Sequence, residues 1–239
     1  MFLPGAEPNS FVMKTLSFAN MDSESAGWQL AISYTNPSKL YKFIQKHRHT
    51  KQKWGRDDPA FVILQSILIV AITFVWYILP LTSYSFFTLI RGIFTSLIFD
   101  YFIIGGIFAV VTWYLLNRFG KAPTTFHSTE QDVELQFCYD VFCNAYTAII
   151  FDINVGFILT QTLRAIFHNW LFTIFLPNTL YAIALIHFIV VAVPCILILP
   201  FLKKFELMPP ILIVIVGYIL SIILSIDIGS IWTKFHFGI

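Results

Sequence analysis

Three ionisable residues lie inside long apolar stretches of this chain, and their types are the ones that most suggest chemistry: Asp100, Asp152 and His187. An ionisable side chain at the centre of a bilayer costs on the order of 2.5 to 3.5 kcal/mol, so each must find a hydrogen-bond partner, water or a proton. One hypothesis is a proton or ion path through all three. The sequence favours a second hypothesis, in which polar groups hydrogen-bond membrane helices together.

A second group with chemical potential lies nearer the N-terminus. His47 and His49 stand close in sequence to Asp57 and Asp58, and a histidine beside a carboxylate can act in acid and base catalysis, as in an acyltransferase. Their spacing matches no zinc-binding pattern, and Lys and Arg surround them. The sequence therefore predicts no catalytic residue, no cofactor and no metal site.

Composition indicates which elements must position these residues. The chain is 57% hydrophobic and only 12% charged, whereas about a quarter of the residues in a soluble domain are charged. We therefore predict an all-α integral membrane protein with about five transmembrane helices in residues 59–233, because about 20 apolar residues cross a bilayer as a helix. The predicted spans are residues 60–79, 92–116, 141–163, 178–199 and 209–226.

Charge predicts the orientation of these spans. Of the 15 Lys and Arg residues, all but Arg91, Arg164 and Lys234 fall on the side of the N-terminus. Because positive charge collects on the cytosolic side, we expect residues 1–58 to be cytosolic and residues 234–239 to form a short lumenal tail.

Spacing indicates where the polar residues of the second and third spans point. Gly92, Ser96 and Asp100 recur every four residues, which places small side chains and an acid on one side of the second helix. The same step recurs along the third helix. We predict that four polar residues hydrogen-bond these two helices together: Asp100, Asp140, Asn144 and Asp152.

The cytosolic region carries the candidate interface residues. Short amphipathic helices are expected there, one of them with Leu40, Tyr41 and Ile44 on one side and lysines on the other, as in a helix on an anionic leaflet. The acidic pair before the first span suits the positive end of that helix, and a docking role is the alternative. The candidate docking residues are Trp28, Trp54, Arg56, Asp57, Asp58, Pro59, Asp132 and Glu134.

Several ordered motifs resemble one known family. They are MDSESAGWQ at 21–29, WGRDDPAF at 54–61, DVEL with FCYDVFCNA at 132–145, NTL at 178–180 and LPFLK at 199–203. In these the chain resembles the uncoordinated-fifty (Unc-fifty, or Gmh) family of Golgi membrane proteins. The resemblance implies a five-span Golgi protein with a cytosolic N-terminus that supports vesicle trafficking, helps to recruit a large Arf guanine-nucleotide exchange factor and aids delivery of receptors to the cell surface.

RNA binding and an inner nuclear membrane location are also described for some members. The tail before Met21 lacks an extended basic stretch, so RNA binding transfers poorly, and the family offers no catalytic motif. The expected function is that of a non-enzymatic membrane adaptor whose partners are lipids, the exchange factor and receptor cargo. The alternative is a small transporter or proton-coupled carrier. A carrier needs a cavity that joins the intramembrane Asp and His residues, whereas an adaptor needs them paired in a closed bundle.

Overall fold

The computed structural model describes residues 22–51, 53–56, 58–78, 85–122, 131–167 and 169–238. Helix accounts for 84% of these residues, and no strand occurs among them. The candidate docking residue Asp57 lies outside the described ranges. Within those ranges the helices are α1 Ser23–Thr35, α2 Pro37–Lys51, α3 Ala60–Ile78, α4 Phe86–Gly120, α5 Leu135–Ile166, α6 Leu171–Leu197, α7 Met208–Ile223 and α8 Ile228–Phe237.

Four of these helices, α3 to α6, are long and apolar enough to cross a membrane. Even α3, with 19 residues, extends about 28 Å at about 1.5 Å per residue, close to the thickness of a hydrocarbon core. The helices α7 and α8 together pass the same test but are bent by 98° at their junction, which brings the number of spans to five if the bent pair is one span. The predicted helical membrane fold is therefore confirmed.

The helix α5 forms the centre of the bundle. Of its most apolar 18-residue window, 67% is buried within the protein, against 33% or less for the other three long helices. It packs against α4, α6 and α1. A helix surrounded on this scale can carry polar side chains because they face protein instead of lipid.

Small residues of α4 allow close contacts with two different helices. A Cβ atom added at Gly105 would lie 2.5 Å from Cε1 of Phe142 in α5, and one added at Gly92 would lie 2.5 Å from Cε1 of Phe237 in α8. The side of α4 that carries Gly92 and Asp100 therefore faces α8. Close contact between α4 and α5 depends instead on Gly105, five residues beyond Asp100.

The helices α1 and α2 pack on one end of the bundle, which we call the N-terminal end. α1 lies against α3 and α5, and α2 lies against α6. Leu40 and Ile44 are buried, and the hydroxyl of Tyr41 donates a hydrogen bond of 2.8 Å to the backbone oxygen of Val190. The apolar side of α2 thus contacts protein, and its exposed side carries Lys39, Lys42, Lys46 and His49.

The sharp turn between α7 and α8 has a local cause. Ser225 adopts a left-handed backbone with φ of 51°, which ends the helical path. Asp227 then caps α8, because its carboxylate accepts a hydrogen bond of 2.8 Å from the backbone N–H of Ser230. The resulting ten-residue helix, for which the sequence predicted no element, folds back against α4 and α6.

Candidate functional site

A layer of buried polar side chains joins α1 to α5 at the N-terminal end of the bundle, and we call it the polar interface. Asn144 and Asp152 lie on the side of α5 that faces α1. The hydrogen bonds run from Gln29 Nε2 to Asn144 Oδ1 at 2.9 Å, from Ser33 Oγ to Thr147 Oγ1 at 3.0 Å and from Tyr34 Oη to Asp152 Oδ1 at 2.7 Å. The polar stripe of α5 therefore binds α1, and not α4 as the sequence had predicted.

Arg56 and Asp140 form an ion pair within this polar interface. Nη2 of Arg56 lies 3.1 Å from Oδ1 of Asp140, and the backbone N–H of Arg56 donates to Oδ2 at 2.6 Å. The guanidinium also donates to Gln29 at 3.2 Å and lies 4.2 Å from the ring centre of Phe61. Removing one partner of such an enclosed pair costs about 3 to 5 kcal/mol.

Other predicted docking residues stabilise the chain before α3. Glu134 accepts hydrogen bonds from the backbone N–H groups of Gly55 at 3.0 Å and Trp54 at 3.4 Å. Asp58 accepts one from the backbone N–H of Ala60 at 3.0 Å, at the start of α3, and Pro59 is buried. Glu134 thus attaches the segment to the start of α5, and Asp58 caps α3.

Two candidates remain accessible. The Trp28 side chain is 49% exposed and contacts the ring of Phe43. Asp132 pairs with Lys121, and its own side chain is 79% exposed. These two, like the lysines on the exposed side of α2, are surface groups that a partner can reach at this end.

Asp152 joins three helices. Besides Tyr34 of α1, it contacts His187 of α6, whose Nδ1 lies 3.1 Å from Oδ2, and the Tyr34 and His187 rings pack 5.0 Å apart. The hydrogen bond to Asp152, with burial, raises the pKa of Tyr34 to about 12, so the phenol stays protonated at physiological pH. The hydroxyl proton of Tyr34 is therefore held in the hydrogen bond to Asp152.

Asp100 has a different partner from the one predicted. Its Oδ2 lies 2.6 Å from Nε2 of His236 on α8. A cavity of about 440 Å³ beside this pair is lined by both residues, and neither Asp152 nor His187 belongs to its lining. The intramembrane ionisable residues thus form two separate Asp–His pairs. Both Asp100 and Asp152 lie in stretches of α4 and α5 with the wider π-helical turn, Phe94–Ile104 and Ile149–Val155, a feature frequent at functional positions.

Sequence reasoning missed several members of these networks. Gln65 of α3 is fully buried, donates to Cys143 O at 2.8 Å and to Thr147 at 2.9 Å, and accepts from Tyr101 at 2.7 Å. An amide in an otherwise apolar span was the available signal. No group of three or more His, Cys, Asp or Glu residues in the described part of the chain could hold a metal ion.

The fold and these networks define a multi-pass helical membrane protein in which Asp100, Asn144 and Asp152 each bond to a residue of another helix. The chain belongs to the UNC-50 family, because a sequence model of that family matches residues 11–237. No solved structure matches it.

Three relatives are similar over most of their length. The unc-50 homolog of Dictyostelium discoideum is 29% identical over 95% of this chain and 87% of its own. Protein GMH1 of Saccharomyces cerevisiae is 32% identical over 80% and 72%. The unc-50 homolog of Homo sapiens is 30% identical over 84% and 75%. The resemblance drawn from the sequence motifs is therefore confirmed.

Proposed function

We propose that this chain is a non-enzymatic adaptor of Golgi membranes that supports vesicle trafficking. In this proposal it helps to recruit a large Arf guanine-nucleotide exchange factor and aids delivery of membrane receptors to the cell surface. Membership in the UNC-50 family supports the assignment. The N-terminus is cytosolic and the C-terminus lumenal, as the distribution of Lys and Arg favours.

The observation that carries the adaptor role is the rigid attachment of the N-terminal helices. A buried hydrogen bond to Asn144 and a partly buried one to Asp152 hold α1, and the Arg56–Asp140 ion pair holds the segment before α3. A surface fixed in this way loses little conformational entropy when a partner binds, so it is suited to docking.

The exposed side of α2 sets the chemistry of the partner. Lys39, Lys42 and Lys46 are exposed at spacings of three and four, so they form one basic stripe opposite the buried Leu40 and Ile44. Such a stripe attracts an acidic protein surface or an anionic headgroup and raises the rate of encounter. The half-exposed Trp28 adds an aromatic group of the kind enriched in interfaces.

The carrier hypothesis has less support. It requires a cavity that joins the intramembrane ionisable groups, and the cavity beside Asp100 is not lined by Asp152 or His187. Each aspartate instead contacts its own histidine. Paired groups of this kind favour a structural role in the bundle.

The test is recruitment of the exchange factor in cells that lack the gene. Cells rescued with the full chain are compared with cells rescued with the double variant Lys42→Glu/Lys46→Glu. The matched control is Lys203→Glu/Lys204→Glu, a second exposed lysine pair expected on the same side of the membrane. Imaging measures the fraction of the exchange factor on the Golgi.

We expect that fraction to fall on deletion and to recover with the wild-type chain and the control, but not with the α2 variant. Normal recruitment in the deleted cells would contradict the proposed function. Full recovery of recruitment with the α2 variant would show that the basic stripe takes no part in recruitment. Surface labelling of receptors in the same cells measures cargo delivery, which we expect to follow recruitment.

A further inference from the structure

The cavity of about 440 Å³ between α4, α5, α6 and α8 has the properties of a binding site. Its size lies within the usual range for small-molecule sites, about 300 to 1,000 Å³, and its wall is mostly apolar and aromatic with a few polar groups. Along α4 it is lined by Asp100, Ile104 and Phe108, which recur every four residues and cover about 12 Å at about 1.5 Å per residue. The site is therefore elongated, with an acidic group toward one end.

The Asp100–His236 pair at that end is electrically neutral as a unit. Nδ1 of His236 lies 2.9 Å from the backbone oxygen of Trp232, and because a carbonyl only accepts, Nδ1 carries a proton. Nε2 lies 2.6 Å from Oδ2 of Asp100, so one further proton lies between them, on the ring or on the carboxyl group. In either arrangement the pair has no net charge.

The unused polar groups determine what this end can bind. The second carboxylate oxygen of Asp100 makes no hydrogen bond to the residues that the structure describes, and it is an acceptor in both protonation arrangements. Tyr146, only 5% exposed, lines the same cavity, and its hydroxyl has no hydrogen-bond partner in the described ranges. A ligand hydroxyl in this cavity can donate to Asp100 or accept from Tyr146.

The geometry points to a sterol as the ligand of this cavity, with its hydroxyl at Asp100 and Tyr146 and its rings along Ile104 and Phe108. A cationic headgroup would lie beside a neutral pair, so its charge would be buried without compensation. The second chain of a lipid with two acyl chains would lie outside a site of about 440 Å³. A rigid, apolar molecule with one hydroxyl meets the length, the volume and the hydrogen-bonding groups together.

The test uses the purified full chain in detergent and a sterol probe that carries a photoreactive diazirine. Labelled peptides are mapped by mass spectrometry, and unlabelled cholesterol, cholesterol methyl ether and a diacylglycerol are the competitors. Leu185→Trp fills the cavity from α6, and Ile183→Trp is the matched control, since Ile183 lies on the same helix, is 48% exposed and does not line the cavity.

We expect labelling of α4 and α8 that cholesterol abolishes. The methyl ether, which cannot donate a hydrogen bond, should compete on the order of tenfold more weakly, and the diacylglycerol should not compete. Leu185→Trp should lose the labelling and Ile183→Trp should keep it. Equal competition by cholesterol and its methyl ether on the wild-type chain would overturn the assignment, as would better competition by the diacylglycerol or labelling that Leu185→Trp leaves unchanged.

Discussion

The ion pair between Arg56 and Asp140 is the contact whose loss should weaken the N-terminal end of the bundle most. The two side chains are only 13% and 12% exposed, and Asp140 also accepts the backbone N–H of Arg56 at 2.6 Å. Asp140→Leu removes both contacts and leaves the guanidinium enclosed without its counter-charge. We therefore expect a loss of about 3 to 5 kcal/mol in the free energy of unfolding.

A matched control separates this effect from the general cost of replacing an acid by leucine. Asp132 also forms an ion pair, with Lys121, but its side chain is 79% exposed, and an exposed pair contributes about 0 to 1 kcal/mol. Asp132→Leu should therefore be nearly neutral. Tryptophan fluorescence of the full chain in detergent, followed through a denaturant titration, measures both variants.

The double variant Arg56→Met/Asp140→Leu completes the test. It removes both charges, so no unpaired charge stays buried, and it should recover most of the stability that Asp140→Leu loses, although the backbone N–H of residue 56 still lacks its acceptor. Equal unfolding free energies for Asp140→Leu and Asp132→Leu would contradict the stabilising role of the enclosed ion pair. A double variant as unstable as the single one would show that lost packing or the lost backbone hydrogen bond of residue 56, and not the unpaired charge, causes the effect.

Two further predictions follow from close contacts and from protonation. Gly105→Val should destabilise the bundle by about 1 to 3 kcal/mol because the valine side chain meets the ring of Phe142. Gly106→Val is the control and should be tolerated, because no atom lies within 4 Å of the added Cβ. Thermal unfolding compares the two variants, and equal midpoints would contradict the close contact between α4 and α5. The hydrogen bond to Asp152 raises the pKa of Tyr34 from 10.0 to about 12. Because the unfolded chain releases the phenol proton first, the stability that this hydrogen bond contributes is complete below pH 10 and is lost as the pH rises toward 12. Unfolding of the wild type and of Tyr34→Phe across that pH window measures this effect, and an unchanged slope in the variant would count against it.

The membrane fold could be predicted from the sequence because its main determinant is local. A run of apolar residues must form a helix in a bilayer to satisfy its own backbone, and the stretches that become α3 to α6 are visible without tertiary information. Spacing also picked out Asn144 and Asp152 in one four-residue series along the third span, and both bond to α1 in the structure.

The partners of the polar residues could not be predicted, because they come from distant parts of the chain. Gln29 and Asn144 are 115 residues apart in sequence, and Asp100 and His236 are 136 apart. Asp100 was expected to contact α5, but a turn at Ser225 brings α8 beside α4 instead. A single left-handed residue leaves little trace in composition, so a contact that depends on it is invisible to helical periodicity.

Direct binding of the exchange factor to the purified protein tests the adaptor proposal most sharply. The full chain is reconstituted in liposomes of neutral lipid, and flotation measures how much purified large Arf exchange factor binds. We expect binding to liposomes with the wild-type chain or Lys203→Glu/Lys204→Glu, and loss of binding with Lys42→Glu/Lys46→Glu. Binding no stronger than to empty liposomes would contradict it.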